Sequence, residues 1–343
     1  MSAKRINLAL QGGGAHGAFT WGVLDQLLQE PSIEIAGISG TSAGALNGAA
    51  LKAGMVKGGR DAARANLDWL WEQVGAVSDM RMASWMAPFS AGMVSKAIEY
   101  SLPYSLVDSA TRLFSPYAYG PFYQNPLANI VDRFSYDAVC ADDGPQLHVC
   151  ATNVRTGKVR VFTGDQITSD AIMASACLPT LFQAIEMDDP DTGRREAYWD
   201  GGYTGNPALF PLFAPELPDD IVIVNINPLE RDELPMTPQD IQNRINEISF
   251  NSSLFRELRA ISFVKRLLAE GGMKPGTMKN VHVHMIADDA LMTELSVATK
   301  LVPSAYVIAK LKEAGQAAAE AFIAGDASMI GEQSSVDLQE MFS

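Results

Sequence analysis

Two glycine-rich turns near the amino end carry the residue types that acyl transfer requires. The first reads Gly12-Gly13-Gly14-Ala15-His16-Gly17 and the second Gly40-Thr41-Ser42-Ala43-Gly44. Each follows a short apolar run and opens a helical pattern. The second has the G-x-S-x-G form, in which small neighbours let a strand turn sharply into a helix and leave the Ser42 oxygen exposed above the sheet. The first places unpaired backbone N–H groups at a helix start, where a developing negative charge is stabilised. A serine hydroxyl is a weak nucleophile until a base takes its proton. The candidate bases are four histidines, His16, His148, His282 and His284, and the carboxylate of Asp200. Asp200 stands in Tyr198-Trp199-Asp200-Gly201-Gly202, after two aromatics and before two glycines. That context predicts a strand exit and partial desolvation, which raises a carboxyl pKa and makes it a better base near neutral pH. Taken alone, Asp-Gly-Gly is an ordinary turn.

The elements that must position these groups follow from hydrophobic periodicity. Residues 5–11 read as a buried strand, followed by a helix from about Ala18 to Glu30 with Trp21, Leu24, Leu27 and Leu28 on one face. Ile33 to Ser39 reads as a second strand feeding the elbow, and a helix runs from near Ala43 to about Ala53. This alternation is the βαβ grammar of a parallel, helix-covered sheet. Leu67, Leu70, Trp71, Val74 and Val77 mark a further helix over Asp61 to Val77. A stretch rich in Met, Pro and aromatics follows: Met80, Met82, Trp85, Met86, Pro88 and Phe89, then Phe114 to Tyr117 and Phe122 to Pro126. It reads either as a lid with an acyl-binding surface or as a cap packed on the core.

Beyond it, residues 146–152 and 158–163 form a predicted hairpin around Arg155-Thr156-Gly157. A small-residue helix over Ser169 to Cys177 stops before Pro179. Strands are predicted at Ile221 to Ile226 and Val281 to Ile286, and helices over Thr237 to Glu270 and Pro303 to Ala324. The polar tail from Gly325 is expected to fray. The acidic pairs and runs, Asp288-Asp289 and Asp188-Asp189-Pro190-Asp191, read as solvated loops. No internal repeat is present.

The 343 residues are 47% hydrophobic and 19% charged, an ordinary globular composition with ample material for a core. A net charge of −14 argues against a nucleic-acid partner and gives no attraction to anionic membranes, so any peripheral membrane contact has to be apolar. Cys140, Cys150 and Cys177 are odd in number and scattered, which disfavours a disulfide framework or a zinc site and suits a reducing compartment. The apolar run Ile6 to Leu10 is too short for a signal peptide's core, and no span of about 18 apolar residues occurs. A cytoplasmic location is expected, with signal-independent secretion as the alternative.

Ordered along the chain, these motifs resemble those of bacterial patatin-like phospholipases. The resemblance rests on the GGGxxG turn after strand one, the elbow after strand two and the later Asp200-Gly201-Gly202. It extends to Ala174-Ser175-Ala176-Cys177-Leu178-Pro179 leading to Phe182, and to Asn206-Pro207. It covers residues 5–228, about two thirds of the chain. The resemblance implies an α/β fold with a central, mostly parallel sheet flanked by helices. Residues 5–228 would be the catalytic domain with a helical and aromatic cap inserted at about 60–135, 229–324 a C-terminal helical and strand extension on the same core, and 325–343 a flexible tail. It implies a serine lipid acyl hydrolase acting on phospholipids or other carboxylic esters through a Ser–Asp dyad and an acyl-enzyme, with no metal or cofactor. Ser42 would be the nucleophile, Asp200 the general base, and the N–H groups of Gly13, Gly14 and Ala15 the oxyanion hole. Gly12, His16, Gly17, Gly40, Gly44, Gly201 and Gly202 would support these groups. Many family members carry Arg or Lys where this chain has His16. A histidine is only partly charged near neutral pH, so either activity falls as His16 loses its proton or the ring merely packs.

Three other readings compete. Gly12-x-Gly14-x-x-Gly17 with Glu34 about 20 residues on is also the dinucleotide fingerprint, although Glu34 starts the second strand instead of ending it. Ser42, Asp200 and His282 or His284 have the chain order of an α/β-hydrolase triad, although that fold places more strands before its elbow. The fold could also serve as an interaction module without turnover.

Overall fold

The computed structural model describes residues 3–77, 90–101, 115–118, 125–272, 274 and 276–342. Of the segment read as a lid or cap, Met80, Met82, Trp85, Met86, Pro88, Phe89, Phe114, Phe122, Tyr123 and Gln124 lie outside the described residues.

Among the described residues, eight strands make one mixed sheet: β1 (Lys4–Leu10), β2 (Ile33–Thr41), β3 (Gln146–Asn153), β4 (Val159–Thr163), β5 (Ile185–Asp189), β6 (Arg194–Asp200), β7 (Asp220–Val224) and β8 (His282–Ile286). Their order is β5-β6-β3-β2-β1-β7-β8, with β4 also paired to β3. Strands β3, β2, β1, β7 and β8 run parallel. The pairings of β4, β5 and β6 are antiparallel. The central strands read as continuous apolar runs because both of their faces are covered. Ile6, Leu8, Leu10, Val222 and Val224 face one core cluster, whereas Ala9, Ile221 and Ile223 face the other.

Helices α1 (Gly17–Gln29), α2 (Ala43–Val77), α3 (Ala91–Glu99), α4 (Ala128–Val131), α5 (Tyr136–Val139), α6 (Ser169–Ser175), α7 (Pro238–Ala269), α8 (Asp289–Glu294), α9 (Val297–Leu301) and α10 (Ala305–Ala324) complete the described elements. Apolar faces of α1, α2 and α10 fill the larger cluster, and Leu254, Leu258 and Ile261 of α7 fill the smaller one. Helix α2 is two helices meeting at Gly58 and at Gly59, whose φ is 75°. These are the two helices expected from the sequence. Helix α7 starts where Thr237 and Asp240 cap each other's backbone N–H groups.

Three loop expectations need correction. The acidic run includes the end of β5, and Asp189 is buried there with Arg160 bonded at 2.9 Å to each carboxylate oxygen and the Tyr198 hydroxyl on Oδ2. Burial pulls this carboxyl up, but the bonds from Arg160 and Tyr198 outweigh it and hold its pKa below the usual value. Asp288 is a helix cap, accepting from the Leu291 N–H at 2.9 Å. The tail expected to fray lies along β8, where Ser335 and Val336 donate to the Val283 carbonyl and Leu338 is buried. Among the described residues no helix is long and apolar enough to cross a membrane.

Candidate active site

Ser42 leaves β2 with φ 54°, the single positive φ outside glycine among the described residues. Such a backbone costs about 1–3 kcal/mol and persists where its surroundings enforce it. Here the surroundings are close. A Cβ on Gly44 would stand 2.1 Å from the Leu10 carbonyl oxygen, and one on Gly12 would stand 2.7 Å from Ser42 Cβ. The Ser42 N–H donates at 2.9 Å to Ser175 Oγ, which donates at 2.6 Å to the Cys150 carbonyl. Ser175, at the end of α6, therefore ties the elbow to β3.

Strand register brings Asp200 to the same place. β2 runs along one edge of β3 and stops where Thr41 pairs Cys150. β6 pairs Asp200 with Ala151, the next residue of β3, while β4 already occupies the opposite edge of that stretch. β2 and β6 thus share one edge and converge head to head, so Ser42 and Asp200 are both strand-end residues at the point of convergence.

The Asp200 side chain is 1% exposed and accepts the Gly202 N–H at 2.7 Å on Oδ1. Burial pushes its pKa up to about 7, against smaller opposing effects of the Gly202 N–H and the Ser42 hydroxyl. The hydroxyl is thus near enough to favour the carboxylate, yet Oδ2 is buried without an aligned hydrogen-bond partner. Catalytic hydrogen bonds are often long or poorly aligned before substrate binds.

The glycine turn is held from three sides by buried amides. Gly12 N–H donates to Asn206 Oδ1 at 2.7 Å, and Asn227 Nδ2 donates to the Gly12 carbonyl at 2.9 Å. Gln11 Oε1 accepts the N–H groups of Ile226 and Asn227. These bonds leave Gly13 and Gly14 facing a cleft of about 450 Å³ that Ser42 and Asp200 also line. Their N–H groups stand where a 3-10 turn, Gly14–His16, leads into α1, a position whose donors helix geometry leaves unpaired. The cleft's apolar wall comprises Leu178, Leu181, Phe250, Val297 and Leu301, and its polar wall Asn227, Gln242, Asn243, Asn246 and Lys300.

Of the sequence-expected residues, Ser42, Asp200, Gly13 and Gly14 come together in this cleft, while Ala15 is buried and does not line it. Gly201 and Gly202 follow Asp200 in a tight turn, and a Cβ on Gly201 would stand 2.2 Å from the Cys150 carbonyl oxygen. Gly17 and Gly40 pack against Ala43 and Gly44. Of the two readings left open for His16, its placement fits the packed ring. It is buried beneath the turn with Nε2 2.8 Å from Thr299 Oγ1. Burial first, and then the positive charge of Lys300, hold its pKa well below the usual 6.5, so the ring is neutral at physiological pH.

The remaining candidates stand elsewhere. His284 Nε2 lies 3.0 Å and His282 Nδ1 3.4 Å from Asp220 Oδ1. Asp220 starts β7, at the opposite end of the parallel strands from Ser42, and no histidine lines the cleft. His148 is on β3, and burial pushes its pKa down to about 4. Glu34 is at the start of β2 and pairs with Arg5 on the surface. Sequence reasoning missed Ser175, Asn227, Lys300 and the α7 side chains of the cleft. Only Ser175 lay within a stretch already noted, and the others carry no local signal.

The patatin-like phospholipase family profile matches residues 8–213, more than half of the chain. The chain belongs to the patatin-like phospholipase family. A search of curated proteins finds no match. Among solved structures, VipD from Legionella pneumophila aligns at 14% identity and a TM-score of 0.40, covering 94% of this chain and 67% of that one. The heterodimeric ExoU–SpcU complex of the type III secretion system of Pseudomonas aeruginosa aligns at 17% identity and a TM-score of 0.30, covering 96% of this chain and 62% of that one. The assignment rests on the family match.

Proposed function

We propose that the protein is a serine lipid acyl hydrolase that cleaves carboxylic esters of phospholipids or other lipids through a Ser42–Asp200 dyad. The observation that carries this reading is the convergence of β2 and β6. It puts a strained serine and a desolvated carboxyl in one cleft, beside glycine amides and an apolar wall suited to an acyl chain. Asp200 Oδ2 takes the Ser42 proton as Oγ attacks the ester carbonyl. The N–H groups of Gly13 and Gly14 receive the oxyanion, and the alcohol leaves with the proton from Asp200. Water, deprotonated by Asp200, then attacks the acyl-Ser42 ester, and Asp200 returns that proton to Ser42 Oγ as the fatty acid leaves. Each oxyanion donor is worth roughly 100-fold or more in rate. The C-terminal third belongs to the same catalytic unit, because α7 and α9 supply part of the cleft.

The test is labelling by a fluorophosphonate probe together with turnover of short and long acyl esters. Wild type labels and turns over, whereas Ser42→Ala loses labelling and at least about 1,000-fold in kcat. Labelling that survives Ser42→Ala overturns the assignment.

A further inference from the structure

The cleft holds a cation that acyl transfer by the dyad does not use. Lys300, on α9, lines the cleft with Ser42, Gly13 and Gly14. Its backbone carbonyl packs under the turn, 2.3 Å from where a Cβ on Gly14 would lie. Its Nζ has one hydrogen-bond partner among the described residues, Asn227 Oδ1 at 2.7 Å, and no ion pair. That partner is neutral and fixed in orientation, because Asn227 Nδ2 already donates to Gln11 Oε1 and the Gly12 carbonyl. An ammonium has three donors, so two remain. The carboxylate that acts most on Lys300 is Glu247. Glu247 is itself held by Arg231 at 2.6 and 2.8 Å and by Arg244 at 3.2 Å. Lys300 therefore presents an uncompensated charge to whatever enters the cleft.

We infer that Lys300, oriented by Asn227, is a subsite for an anionic oxygen group carried by the substrate, a phosphodiester or a carboxylate, within the cleft that also holds the apolar acyl-binding side chains. This deepens the ester-hydrolase reading and rests on it. A charge-assisted hydrogen bond there selects anionic esters over neutral ones of the same chain length. The side chain acts on binding, so its effect falls mainly on KM.

The charge titrates within a usable range. Burial pushes the Lys300 pKa down to about 8, with Arg231 adding to the fall and Glu247 opposing it. Of the other titratable groups, Asp200 and Tyr203 line the same cleft, His16 beneath the turn feels the Lys300 charge, Arg244 is bonded to Glu247, and Glu99 of α3 accepts from the cleft residue Asn243. Selectivity for anionic esters should weaken as pH rises through about 8.

The experiment compares kcat/KM for monomeric dihexanoyl phosphatidylglycerol with dihexanoylglycerol, and for p-nitrophenyl hemisuccinate with p-nitrophenyl butyrate. The first pair reports on phosphate and the second on carboxylate. Lys300→Met should reduce the anionic-to-neutral ratio roughly 10- to 100-fold through KM in at least one pair, the size of a hydrogen bond to a charged group. Lys300→Arg, which keeps the charge, should restore much of it. Should Lys300→Met fail to fold, the wild-type ratio between pH 7 and 9.5 and the Lys300→Arg variant carry the test. Equal losses in kcat on charged and neutral esters would place the lysine on the oxyanion and overturn the subsite. So would a ratio indifferent to both the substitution and pH. Calorimetric binding of dihexanoyl phosphatidylglycerol to Ser42→Ala, with and without Lys300→Met, separates the two readings. Lysine-dependent binding by a protein without esterase activity keeps the subsite and rejects the hydrolase.

Discussion

The role proposed for Asp200 and its burial set opposing demands. A base must be ionised, so if Asp200 has that role, kcat/KM on a neutral ester should rise with pH and level off above about 7. A flat profile between pH 5.5 and 8 would contradict the role. Its folded pKa lies above the unfolded value, so the unfolded chain binds fewer protons between about 4 and 7 and the protein loses stability as pH rises through that window. Asp200→Asn keeps an acceptor for the Gly202 N–H and removes the charge. It should abolish turnover yet stabilise the fold at pH 8.5 and not at pH 4, by at most about 4 kcal/mol at 1.36 kcal/mol per pKa unit, read as a higher melting temperature at pH 8.5 alone. The desolvation of Asp200 was legible from the aromatics before it and the glycines after it. The neutrality of His16 was not, because Thr299 and Lys300 reach it from the other end of the chain.

At the level of elements, the two βαβ steps, the 146–163 hairpin and the long helices were readable from periodicity. The hairpin of β5 and β6 was hidden by its acidic residues and Pro190, whose meaning depends on Arg160 arriving from β4. Also hidden was the clasp between α6 and the elbow. Ser175→Ala should leave the Ser42 N–H and the Cys150 carbonyl short of a partner, costing about 1–3 kcal/mol. Because the clasp holds the Ser42 backbone, kcat should fall by more than KM rises if Ser42 is the proposed nucleophile, and Ser175→Thr should recover part of it. Denaturant unfolding and steady-state kinetics together check this. If kcat stayed at the wild-type level in a destabilised Ser175→Ala, the serine would be a packing residue alone.

For the molecule as a whole, the boundary suggested by the motif match at 228 does not correspond to a gap in structure. β8 extends the sheet, α10 packs its glycine-flanked face on α1, and α7 and α9 wall the cleft. Calorimetry should therefore show one cooperative transition, with calorimetric and van't Hoff enthalpies equal. Two resolved transitions would show that the C-terminal third folds independently. Sequence alone could not reveal this wall, since Gln242, Asn246 and Lys300 form no motif and acquire meaning only when the chain returns to the first turn.

The head-on meeting of β2 and β6 has an evolutionary corollary. Spacing between Ser42 and Asp200 is set by main-chain ladder pairing, which side-chain replacement leaves alone but a change of strand length does not. One extra residue within Arg194–Asp200 would invert which face each position addresses, whereas an insertion beside Thr192, at the exposed tip of the ribbon, leaves the ladder untouched. Lineages of this protein should thus drift freely in composition along β6 while its length stays frozen.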